Sequence, residues 1–253
     1  MLRKYSNHRT NADNLKLGTL TAFSAGMVNV LSLIIFFSFT SNVTGHYAIL
    51  AQEIAKQNWI QACVVFLWIF LFFAGSMVSN LLIIHGNKYF GRHLSHAIPI
   101  ILETICILYT GIYLQYFYTE SLYETELLVA LLLLAMGLQN GLTASISNSS
   151  VKTTHLTGLT TDLAINLSMM TKESFRKDPK VRAKGKLLFF IMIFYMMGAI
   201  FSGLLYYEIK YYTFYIVCCV LCFIMLYDYY KLSITKLVHG KSYLLKKYKN
   251  SNQ

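Results

Sequence analysis

Few residues in this chain carry chemistry, and most of them stand in apolar surroundings. Glu103 interrupts the run Ile100-Ile101-Leu102-Glu103-Thr104-Ile105. A carboxyl desolvated in this way favours its protonated form and can carry a proton, or else it pairs with a Lys, His or Tyr for structure. Asp162 follows Thr160 and Thr161 near the start of a short helical stretch, where a carboxylate contacts a solute or simply complements the helix dipole. Asn29, Gln139 and Asn140 also lie in apolar runs, where amides bridge helices or bind a polar solute. Two Thr-Gly pairs complete the set, Thr44-Gly45 followed by His46 and Thr157-Gly158 preceded by His155. Their imidazoles can bond a solute, titrate or hold a turn.

Each Thr-Gly pair belongs to a polar break followed by a helix-like stretch too short to cross a bilayer. Thr40-Ser41-Asn42-Val43-Thr44-Gly45 leads into one that ends near Gln57, and Ser147-Asn148-Ser149-Ser150 leads through Thr157-Gly158 into one that ends near Met170. Both read as broken helices. Ser, Thr and Asn ahead of a helix cap its free N–H groups, and the same groups, with the helix dipole, hold an anionic group. Asn29, Asn42, Thr44, Gly45, His46, Gln139, Asn140, Thr157, Gly158 and Asp162 are therefore the candidate substrate-binding residues. Glu103 and Asp162 are the candidates for proton coupling. No catalytic cluster, metal-ligand set or cofactor is expected. Cys63, Cys106, Cys218, Cys219 and Cys222 all fall in apolar blocks, and Cys219 and Cys222 have neither a second pair nor a nearby His. No G-x4-G-K-[ST] sequence is present to hold ATP.

These residues need a scaffold, and the composition says which kind. Of 253 residues 56% are hydrophobic and 13% are charged, where a soluble domain carries roughly 25% charged. Only helices satisfy their own backbone within such long apolar blocks, and a barrel strand would alternate apolar with polar residues. Six spans are expected, at Leu17 to Phe39, Trp59 to Ile84, Ser95 to Phe117, Leu127 to Ser147, Lys186 to Tyr207 and Tyr211 to Asp228. The first block is of full spanning length and lacks a small-residue cleavage site, so it is expected to stay attached.

Charge then orients the chain. An even number of spans puts both ends on one side, and nineteen of the 22 Lys and Arg residues lie on that side. The loop from Tyr118 to Glu126 carries Glu120, Glu124 and Glu126 and no Lys or Arg. Both termini are thus expected in the cytoplasm, which accounts for the net charge of +11 without nucleic acid as a partner. The tail from Lys231 onward mixes leucines with lysines, as an interfacial helix on anionic lipid does, or a solvated basic tail.

The halves of the chain resemble each other. Thr44-Gly45-x4-Leu50-Ala51 recurs as Thr157-Gly158-x4-Leu163-Ala164 at an offset of 113, and Gly26-x-x-Asn29 recurs as Gly137-x-x-Asn140 at 111. Further on, Gly75-x3-Ser79 matches Gly198-x3-Ser202. A repeat unit of three spans enters the membrane from opposite sides in its two copies, an inverted pair typical of secondary transporters. The expected architecture is an all-α, polytopic membrane protein, a 3+3 inverted repeat with two half helices. Residues 1–16 form a cytoplasmic segment, 17–118 and 119–228 the two repeats, and 229–253 the basic tail.

Phe39-Thr40-Ser41-Asn42-Val43-Thr44-Gly45, Ala135-Met136-Gly137-Leu138-Gln139-Asn140 and the stretch Thr153 to Ala164 resemble the signatures of the YoaK-like family of bacterial inner-membrane proteins. The resemblance runs from about Gly18 to Asp228. It implies a six-helix, multi-pass protein of the bacterial inner membrane and assigns no biochemical activity. Asn29 stands where an acidic residue is common in the family, and His46 where an amide is common, so ion coupling in this chain is expected to differ if the missing carboxylate serves it. The functional expectation is a non-enzymatic secondary transporter of a small solute or ion working by alternating access, with or without proton coupling. The alternatives are a membrane-embedded enzyme acting on lipid and a non-catalytic scaffold. Substrate and oligomeric state are not legible.

Overall fold

The first helix starts where the sequence supplies a cap. Thr10 accepts a hydrogen bond from the Asp13 backbone N–H at 3.2 Å, and the Asp13 carboxylate accepts one from the Thr10 N–H at 3.2 Å, a reciprocal capping box. In the computed structural model, which describes residues 10–89 and 91–227 without the side chains of 87, 92 and 93, this helix α1 is Asn11–Phe36. The basic tail expected from Lys231 onward and the basic residues ahead of Thr10 lie outside the described residues.

Six further α-helices follow: α2 Val43–Ala55, α3 Trp59–Tyr89, α4 Gly91–Tyr116, α5 Leu122–Ser147, α6 Leu156–Met169 and the single turn α7 Glu173–Lys177. Then come α8 Pro179–Ile209, a 3₁₀ turn at Lys210–Tyr212, and α9 over 213–227. All regular structure among the described residues is helical. Several helices outrun their apolar blocks because polar caps extend them. The α8 start is set by Asp178, whose side chain accepts from the Lys180 N–H at 2.8 Å, and by Pro179 at the first position, seven residues ahead of the expected Lys186. Both α1 and α5 stop at a left-handed residue, Phe37 at φ 54° and Asn148 at φ 52°.

Five stretches are long and apolar enough to cross a membrane: Asn11–Phe36, Trp59–Gly86, Leu94–Tyr116, Leu122–Ser147 and Pro179–Tyr227. The last has 49 residues, about 70 Å of helix at ~1.5 Å per residue, more than twice a hydrocarbon core of ~30 Å. It is broken at Lys210, which takes φ 48°. Large side chains such as Phe66, Phe70, Phe73, Ile200 and Phe201 stand exposed on the outside of the bundle. Apolar helices with an apolar exterior point to a membrane protein.

Two helix pairs form the frame, α1 on α8 and α3 on α5, with α4 against α3 and α5. α1 and α5 also touch, and they are the innermost helices: Leu17, Met27, Leu31, Leu132, Leu133, Met136 and Leu142 are fully buried. Glycine lets each pair close up. A Cβ on Gly26 would fall 2.1 Å from the Tyr195 carbonyl oxygen, and one on Gly198 2.0 Å from that of Phe23. In the other pair, a Cβ on Gly137 would fall 2.2 Å from the Phe72 oxygen and one on Gly75 2.4 Å from the Leu134 oxygen. The second set of partners is the first displaced along the sequence, by 111 residues between α1 and α5 and by 123 between α3 and α8. Serine hydroxyls add to the same seams, Ser202 donating to the Met27 oxygen at 3.1 Å and Ser76 to the Gly137 oxygen at 3.0 Å.

Candidate functional site

Both half helices are tethered by an amide of the long helix that precedes them. Asn29 Oδ1 accepts from the Thr40 N–H and from Ser41 Oγ, each at 3.1 Å, and its Nδ2 donates to the Tyr195 hydroxyl of α8 at 2.8 Å. Asn140 Nδ2 donates to Thr154 Oγ1. Asn29 and Asn140 are related by 111 residues and Ser41 and Thr154 by 113, so corresponding residues are tied in both halves, with donor and acceptor exchanged. It draws the linker back along the long helix before the half helix begins.

The half helices start alike too. Asn42, the residue ahead of α2, folds its side chain over the first turn and accepts from the Gly45 N–H at 3.2 Å. His155 occupies the corresponding place ahead of α6 but makes no capping hydrogen bond. A Cβ on Gly158 would lie 2.5 Å from His155 Nδ1, and one on Gly45 3.0 Å from Asn42 Nδ2. The glycine after each threonine makes room for the residue that precedes the helix.

Asn42 and His155 line one cavity of about 580 Å³, in the range of small-ligand sites. Asn29, Thr44, Asn140 and Thr157 line it as well, so five of the substrate-binding candidates read from sequence meet there. Tyr195, Ser41, Thr154 and Lys152 join them, and no carboxylate is in the lining. Sequence reasoning did not single out these four. Lys152 had a signal available, being a lone cation in a Ser/Thr-rich linker between an apolar helix and a half helix. Tyr195 had none, because its hydroxyl reaches the site only through the α1–α8 contact.

The other candidates lie elsewhere. Gly45 and Gly158 sit beneath the capping side chains, outside the lining. His46 is buried, its Nε2 2.8 Å from the Phe39 oxygen and its ring edge-on to Trp68 at 5.4 Å, so it fastens α2 to α3. Gln139 Nε2 donates to the Thr21 oxygen and to Ser24 Oγ, both at 2.8 Å, and fastens α5 to α1. Asp162 lines a second cavity, of about 600 Å³, and lies 3.7 Å from Lys184 Nζ. Glu103 is fully buried on α4, in the lining of neither cavity, and neither carboxyl oxygen has a hydrogen-bond partner among the described residues. Outside the long helices, Glu53 accepts from Lys56 Nζ and Asn58 Nδ2, which hold its carboxyl below the usual range. All five cysteines are free thiols, and no group of three or more His, Cys, Asp or Glu comes together among the described residues.

The geometry defines a class: a helical membrane protein in which two half helices, built alike and each tied to its long helix, open onto one cavity lined in part by amides and hydroxyls. The chain belongs to the family described as protein of unknown function (DUF1275), matched over residues 17–227, and the resemblance read from the Thr-Gly motifs is to that family. No curated protein and no solved structure matches it.

Proposed function

We propose that the protein is a secondary transporter of a small solute, moved through the cavity between α2 and α6 by alternating access. One observation carries the reading: Asn42 and His155, which precede the two half helices at an offset of 113, line the same cavity. On this reading the 49-residue apolar stretch is two spans, α8 and α9, giving six in all. Residues 17–118 and 119–228 are then inverted copies, with both termini in the cytoplasm, the protein in the bacterial inner membrane and the basic tail on anionic lipid. The two frame contacts, α1 on α8 and α5 on α3, each join one copy to the other. Two similar arrangements of such seams supply an outward-open and an inward-open state of comparable energy. Glu103 is the proton-coupling group; a buried carboxyl without a partner is costly when ionised, so its protonation is free to follow the conformational state.

Solute and proton flux into proteoliposomes, over a panel of small metabolites and ions, tests this with the wild type, Asn140→Ala and Glu103→Gln. Flux of at least one solute is expected, lowered about tenfold or more by Asn140→Ala, with proton movement lost in Glu103→Gln. A folded wild-type protein that moves nothing on the panel overturns the reading.

A further inference from the structure

We infer that the transported solute is an anion, a small carboxylate or phosphate, and that the second cavity is the vestibule that gathers it. This rests on the transport reading above and names its substrate class. The central cavity holds Lys152 and His155, hydroxyls and amides, and no acidic side chain in its lining. Two half helices begin at it, and α6 does so with no side chain satisfying its first turn, although Asn42 does this for α2. Those N–H groups and the positive ends of two helix dipoles favour negative charge. A cation would meet Lys152 and no counter-charge.

The second cavity, between the N-terminal ends of α1 and α8, the C-terminal end of α5 and the side of α6, carries the same sign. It is lined by Lys152, Lys180, Lys184 and Lys186 against a single carboxylate, Asp162. Asp162 faces Lys184 across 3.7 Å with both side chains about half exposed, a weak pair that leaves the balance positive. Lys152 lines both cavities and has no ion pair among the described residues. A lysine-lined concavity raises the local concentration of anions, and Lys152 is placed to pass one from the vestibule to the helix ends.

Thermal stabilisation of the purified full chain in detergent tests the site without requiring flux. The probes are sodium phosphate, sodium succinate, choline chloride and glucose at matched ionic strength, with phosphatidylglycerol mixed micelles as a separate arm. Phosphate or succinate is expected to raise the melting temperature saturably. Lys152→Gln should weaken the apparent affinity about tenfold, the worth of roughly 1.4 kcal/mol, while Lys152→Arg restores most of it and Lys210→Gln, in the lining of neither cavity, changes nothing. A Lys152-dependent shift with phosphatidylglycerol alone identifies the anion as a lipid headgroup and overturns the soluble-solute assignment. Stabilisation by choline or glucose instead, or anion effects indifferent to Lys152, overturns the proposal. Anion binding with no flux in proteoliposomes sinks the transport reading and leaves the anion site standing, whereas flux confined to cations or neutral solutes does the reverse.

Discussion

Asn29 shows how one side chain can serve both structure and site. Its oxygen satisfies a buried backbone N–H at Thr40 while its amide nitrogen holds Tyr195 at the cavity wall. Asn29→Ala leaves the Thr40 N–H and the Tyr195 hydroxyl without that partner, at about 1–3 kcal/mol for the buried donor, and a lowered melting temperature in detergent is the expected result. Asn29→Asp is milder, because one carboxylate oxygen can keep Thr40 while the other accepts from the Tyr195 hydroxyl, which is able to donate. It should therefore melt between Asn29→Ala and the wild type; an Asp variant as unstable as the Ala variant would show that the Tyr195 contact needs an amide donor.

At the scale of helices, the glycine seams decide how closely the two frame pairs approach. Gly198 sits against the Phe23 carbonyl, and a Cβ there would lie at 2.0 Å from backbone that cannot rotate aside. Gly203, one and a half turns on in the same helix, meets only side-chain carbons of Val30 and Ile34, at 3.5 and 4.0 Å. Gly198→Ala should thus destabilise the protein by about 1–3 kcal/mol through overpacking, while Gly203→Ala is neutral or gains from better helix propensity, up to about 1 kcal/mol. Differential scanning fluorimetry of the two variants side by side checks this, and equal melting temperatures would mean that α1 and α8 are not closely seated. Gly75→Ala repeats the Gly198 experiment in the other seam and should give a loss of similar size.

For the whole molecule, the question is which ends share a side of the membrane. With six spans, Ser121 at the start of α5 and Ser174 in α7 fall on opposite faces. A membrane-impermeant maleimide applied to intact cells should label Ser121→Cys and leave Ser174→Cys unlabelled until the cells are opened, with the wild type, whose five thiols lie in or beside apolar helices, as background. Labelling of both from outside would refute the orientation with cytoplasmic ends.

Composition and pattern alone determined the helices, the broken segments and the likeness between the halves, because apolar block length and polar breaks are local properties of the chain. The Thr-Gly motifs and Asn29 and Asn140 marked the cavity for a similar reason: a half helix needs a cap, a glycine beneath it and an anchor for its linker, and all three leave a residue type in place. Which candidates share a cavity was decided only in three dimensions. Asp162 lies one turn past Thr157 and Gly158 in sequence, yet on α6 that turn places it in the lysine-lined cavity beside Lys184. Gln139 is the neighbour of Asn140, but successive residues on a helix point about 100° apart, so one fastens α5 to α1 while the other lines the site. Tyr195 entered the site through packing between α1 and α8, and residue type and spacing along the chain carry no trace of that contact, whereas Lys152 was marked as a lone cation in the polar linker ahead of α6.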